Sequence, residues 1–148
     1  MEGYSLLKYE GTEYNGYVYL VFAADSFDVE IITKELNIEP TSIRIKGDPR
    51  PIDSSWKYEI NVGMSLDYET ALNQLISLFE LKIDTIVKLK KGLGLETLLK
   101  FVIYIDMDPE HFTPYFGFNK NVIDFLSATG TTADFDVNKI DTTGLYDK

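Results

Sequence analysis

The chain has 148 residues, 24 acidic against 14 basic side chains for a formal charge of −10, 45% hydrophobic and 14% aromatic residues, and no cysteine. That length suits one domain burying roughly two-thirds of its unfolded surface, and the apolar share argues against disorder. Without cysteine there is no disulfide, thiolate nucleophile or sulfur-bound zinc, and the acidic field sets aside nucleic acid and membrane as partners in favour of a basic protein or a cation.

The N-terminal Met1-Glu2-Gly3-Tyr4 is not a basic region leading into an apolar run, and no stretch reaches bilayer-spanning length, so a soluble, cytoplasmic chain is expected. Residues 16–24, Gly-Tyr-Val-Tyr-Leu-Val-Phe-Ala-Ala, are apolar on both alternating faces and read as a central strand covered on both sides. Ser26 or Asp28 caps a short helix whose Val29, Ile32 and Leu36 share a face, and Asn37 suits its left-handed end. Residues 42–46 alternate, with Ile43 and Ile45 opposed to Ser42, Arg44 and Lys46. Residues 55–62 alternate likewise, with Trp56, Tyr58, Ile60 and Val62 opposed to Lys57, Glu59 and Asn61. Between them Gly47-Asp48-Pro49-Arg50-Pro51 is a loop, since proline donates no ladder hydrogen bond, and it predicts antiparallel neighbours.

Asp67 opens a longer helix carrying Tyr68, Leu72, Leu75, Ile76 and Phe79, extended through Ile83, Ile86 and Val87 until Gly92 and Gly94 stop it. Residues 98–106 form a second strongly apolar strand. After a loop with Pro109, His111 and Pro114, Asn119 or Asn121 caps a helix carrying Val122, Phe125 and Leu126, closed by Gly130. The last strand, 132–138, is expected to bury Ala133, Phe135 and Val137 and to expose Asp134, Asp136 and Asn138. The polar tail 141–148 is expected to fray.

The opening strand-helix-strand triplet matches the closing one in pattern and length. The expected fold is therefore one α+β domain over 1–148: a two-layer ferredoxin-like sandwich of pseudo-repeated β-α-β halves, with a mostly antiparallel sheet and helices on one face. A doubly wound parallel sheet fits less well, because it needs more strands buried on both faces.

The densest polar cluster is Asp106, Asp108, Glu110 and His111. Carboxylate and imidazole ligands suit calcium, magnesium, manganese or zinc, but the spacing matches no EF-hand, and a solvated acidic loop is the plainer reading. His111, the only histidine, becomes a general base only if a carboxylate orients it. Asp134 and Asp136 project from one side of the last strand, where they are either an acid-base pair or ordinary surface charge. Tyr17 and Tyr19 would form an RNA-stacking platform on an open sheet face, which the charge opposes. No phosphate-binding glycine loop or nucleophile elbow is present, and no cofactor is indicated.

Four segments carry a resemblance: Leu36-Asn37-Ile38-Glu39-Pro40-Thr41, Ile45-Lys46-Gly47-Asp48, Ser54-Ser55-Trp56 and Ala133-Asp134-Phe135-Asp136-Val137. Over about residues 17–138 the chain resembles a bacterial family known as domain of unknown function 4279, most specifically in its lysine-glycine-aspartate turn followed by serine-tryptophan. The resemblance implies no established activity. Some similar small acidic proteins occur beside bacterial toxin genes, which implies a toxin-neutralising immunity role. Trp56 and Gly47 are expected to hold the fold, Trp56 as a core anchor and Gly47 through torsions closed to other residues.

The expected function is a non-catalytic protein-interaction module for a basic partner such as a toxin, with Asp134, Asp136, Asp48 and Tyr115 as contact candidates and Tyr146 as a further anchor. The alternative is a small-molecule or metal-dependent enzyme using loop 106–111. A third possibility is self-association through a sheet edge.

Overall fold

A computed structural model describes residues 15–47, 51–63 and 67–143. The elements run β1 (Gly16–Ala24), α1 (Val29–Leu36), β2 (Ser42–Arg44), β3 (Ser54–Gly63), α2 (Tyr68–Phe79), a 3₁₀ turn (Glu80–Lys82), α3 (Ile83–Leu93), β4 (Glu96–Asp106), α4 (Lys120–Thr129) and β5 (Thr132–Ile140). The helix starts follow local chemistry. Carboxylate or amide oxygens of Asp28, Asp67 and Asn119 accept the first free backbone N–H groups, from Glu30, Thr70 and Val122, at 3.0–3.1 Å. The ends are equally local: Asn37 (φ 57°), Gly94 (φ 65°) and Gly130 (φ 65°) take the left-handed conformation that turns the chain out of α1, α3 and α4. Lys90 adds a clasp from α3, donating to the carbonyls of Thr129 and Gly130 at 2.8 Å each.

The five strands form one sheet in the order β2-β3-β1-β4-β5. β1 pairs antiparallel with β3 and β4, and β2 pairs antiparallel with β3. Only β5 runs parallel to its neighbour, β4, a pairing that requires the helical crossover supplied by α4. The fold is thus α+β with a mostly antiparallel sheet. The two triplets close differently: β3 separates β1 from β2, whereas β4 and β5 are direct neighbours.

Alternation decides where the core lies. Val18, Leu20 and Phe22 of β1 and Leu99, Phe101 and Ile103 of β4 point into one cluster with Ile32 and Leu36 of α1, Leu72, Leu75 and Phe79 of α2, Ile86 of α3 and Phe125 of α4. Trp56 of β3 is fully buried there, edge-on to Phe22 (5.5 Å) and Phe79 (6.1 Å), and its Nε1–H donates to Thr33 Oγ1 at 2.9 Å. Tyr68 lies under Gly16, its hydroxyl donating to the Val102 carbonyl at 3.0 Å, and burial pushes its phenol up to about 12.

Four expectations need correction. β1 is not covered on both sides: Tyr17, Tyr19 and Val21 remain half-buried, because the helices pack on one face only. β2 is three residues long and exposed throughout, leaving Ile43 and Ile45 at the surface beside an outer edge. In β5, Phe135 and Val137 are 42% and 52% exposed instead of buried, since an edge strand carries half its apolar row beyond the helix layer. The tail does not fray at once. Thr142 is buried and bonded to Asp106, while 144–148 lie outside the described residues. No helix among the described residues is long and apolar enough to cross a membrane.

Candidate functional site

Two places gather the candidate residues: the loop leaving β4, and the helix-free face of the sheet. At the end of β4, Asp106 is the hub of a cap. Its Oδ1 accepts the N–H groups of Asp108 (3.0 Å) and Thr142 (3.2 Å), and its Oδ2 accepts the Thr142 hydroxyl (2.7 Å). His111 Nδ1 lies 3.1 Å from Asp106 Oδ2 and 3.7 Å from Asp108 Oδ2. Asp108 Oδ1 in turn accepts the Glu110 N–H at 3.0 Å.

Burial is the largest influence on Asp106 and pushes its carboxyl up. The Asp108 N–H, the hydroxyl and N–H of Thr142, and His111 outweigh it and hold the carboxyl below its usual 3.8. A carboxylate occupied on both oxygens has little left for a cation, and among the described residues no group of three or more His, Asp or Glu is placed to hold one. What the arrangement does is fasten the end of β4 to the chain leaving β5. Thr142 was invisible to the sequence reading, because nothing local marks it as the partner of a residue on another strand.

Asp106→Ala is expected to cost about 1–3 kcal/mol at neutral pH, from the lost charge-assisted hydrogen bonds. The sign of the pH effect follows from a folded-state pKa below the unfolded one: the contribution is present above the ordinary carboxylate range and disappears as pH falls through the folded value. Thermal unfolding of wild type and variant at about pH 7 and about pH 2.5 should therefore show a gap that narrows in acid. An equal gap at both would refute the assignment.

The helix-free face is laid out by strand register. One row runs Glu59, Tyr19, Lys100, Asp134, and the next runs Asn61, Tyr17, Val102, Asp136. Tyr17 and Tyr19 stack at 6.2 Å, and Lys57 Nζ sits 4.4 Å from the centre of the Tyr19 ring. Burial first, then the Glu59 carboxylate, raises the pKa of both phenols. Most charges pair off, Lys57 with Glu59 and Lys100 with Asp134, each at 3.7 Å. The face is therefore less acidic than expected, and Asp136 is its carboxylate with no ion pair among the described residues.

Tyr115 is 67% exposed on the helix-side loop, where its backbone bridges Asp67. Its neighbour Phe116 stacks on Phe101, meets Tyr68 edge-on and lies tilted against Phe135. These exposed loop aromatics went unremarked in the sequence apart from Tyr115, for want of any periodicity. The Gly47 N–H donates to the Pro51 carbonyl at 2.9 Å, closing the loop between β2 and β3, whereas Asp48 and Tyr146 lie outside the described residues.

The family model for a domain of unknown function, DUF4279, matches residues 12–139. The chain belongs to the DUF4279 family. The match takes in every described strand except the last residue of β5, and it agrees with the resemblance carried by the Lys46-Gly47 turn, Trp56 and the Asp134-Phe135-Asp136 strand. No curated protein and no solved structure matches the chain.

Proposed function

We propose that this DUF4279 member is a non-catalytic interaction domain that binds a basic protein, in the manner of a toxin-neutralising immunity protein in the bacterial cytoplasm. The observation that carries the reading is the helix-free sheet face. It leaves Tyr17, Tyr19 and Val21 half-buried, with Asp136 in the row of Tyr17 and without an ion pair among the described residues, in a chain of net charge −10. Aromatic rings flanked by a carboxylate serve as an anchor and a steering charge for a cationic partner, and the overall field speeds its arrival. The order β2-β3-β1-β4 with antiparallel neighbours supports a ferredoxin-like core, to which α4 and β5 are an added edge.

The test is a pull-down from cells of the source organism at about 50 mM and about 500 mM salt, with wild type and a Tyr19→Ser/Asp136→Lys variant of unchanged stability. A basic protein retained at low salt by wild type and lost by the variant is expected. Recovery of none, or equal recovery by both, would sink the reading.

A further inference from the structure

The outer edge of β5 is unpaired among the described residues, since β5 ends the sheet order. Which backbone groups it offers follows from one hydrogen bond. The Ile140 carbonyl accepts the Met107 N–H at 2.7 Å, so Ile140 turns its polar groups toward β4. Groups alternate along an extended strand, which turns those of Ala133, Phe135, Val137 and Lys139 outward. The Phe135 N–H confirms the direction. Among the described residues it is met by the carboxylate of its own neighbour, Asp134, at 3.0 Å.

Side chains at this edge are sorted by face. Asp134 and Asp136 stand on the helix-free side, while Phe135 and Val137, 42% and 52% exposed, stand on the helix side, where the Phe135 ring lies against Phe101 and Phe116. Lys139 closes the helix-side row at the end of the strand.

We propose that this edge accepts an extended segment of the partner as a sixth strand, one whose side chains alternate between basic and apolar. Basic residues would lie beside Asp134 and Asp136 and apolar residues beside Phe135 and Val137, with main-chain hydrogen bonds to the outward groups. A docking strand would take the Phe135 N–H from Asp134 Oδ1 and leave that oxygen to the incoming cation, while Oδ2 keeps Lys100 Nζ at 3.7 Å. Charge selects this occupant over a second copy of the chain, because two β5 edges side by side would set aspartates against aspartates. The inference rests on the interaction reading above and adds the place and the pattern of the ligand.

The probe is a labelled peptide of about eight residues alternating arginine and valine, followed by fluorescence anisotropy at low salt, with a blocked arrangement of the same residues as control. Wild type is expected to bind the alternating peptide at least about tenfold more tightly than the control. Val137→Pro removes an outward N–H that pairs with nothing in β4, so the fold should stand while affinity falls at least about tenfold. Asp134→Asn/Asp136→Asn should lose a similar factor, and amide shifts on titration should centre on Phe135, Val137 and Lys139. Equal binding of both peptides, or unchanged binding by a folded Val137→Pro, would overturn the edge inference. In that case a basic cellular protein still retained by wild type and by Val137→Pro would leave the broader interaction reading standing. Loss of all binding to basic proteins would remove both.

Discussion

Gly16→Ala is expected to destabilise this protein by about 3–5 kcal/mol, the range of a badly overpacked or emptied aromatic site. The reason is space and not torsion. A β-carbon built at residue 16 would lie 1.6 Å from the Tyr68 hydroxyl oxygen, 2.6 Å from Tyr68 Cζ and 2.8 Å from the Val102 carbonyl oxygen. No rotation of a methyl group relieves contacts that short, so either β1 shifts out of register with β3 and β4 or Tyr68 leaves its site. If Tyr68 leaves, a ring that is 1% exposed enters water and its hydrogen bond to the Val102 carbonyl is lost. Urea unfolding should register the loss as a fall in midpoint. Tyr68→Leu made in the same background should recover part of it, so the double variant costs less than the sum of the two single changes by about 1 kcal/mol or more. Strict additivity would show that the clash does not govern the effect.

Trp56→Ala is the second large effect, about 3–5 kcal/mol. Trp56 is wholly buried, and its ring is packed edge-on by Phe22 and Phe79, with Phe79 also meeting Tyr58 at 6.0 Å. Removing the indole empties the point where β1, β3 and α2 meet. The polar end has its own cost. Thr33 Oγ1 accepts the indole N–H, and Thr33→Val should leave that donor unsatisfied for about 1–3 kcal/mol. In a Trp56→Phe background the same Thr33→Val change should cost little, because no buried donor remains. A full-sized Thr33→Val effect there would mean that the threonine acts through something other than the indole. Calorimetric or denaturant unfolding of the four variants settles both points.

These two residues were legible to different degrees. Trp56 is legible in the sequence, since a strand that sets Trp56, Tyr58, Ile60 and Val62 against Lys57, Glu59 and Asn61 can hardly place tryptophan anywhere but the core. Gly16 did not, because the demand for a bare α-carbon comes from Tyr68, on a helix far along the chain. Asp106 lies between these cases. A polar cluster at a strand end is plain, yet its capping role depends on Thr142, which arrives only after β5 has run parallel beside β4. The exposure of Phe135 and Val137 is not legible in the sequence, because alternation tells which side chains share a face but not whether a helix reaches that far.

Local chemistry, then, was written in the chain itself: where helices begin and end, which strand residues share a face, the acidic charge, and the motifs of the DUF4279 family. Such features depend on neighbours within a few residues or on composition alone. Strand order, the half-open face of β1, the place of β5 at the end of the sheet order and the Gly16–Tyr68 fit were decided by tertiary structure. They arise from contacts between segments distant in sequence, and alternation leaves those pairings open until the chain is packed.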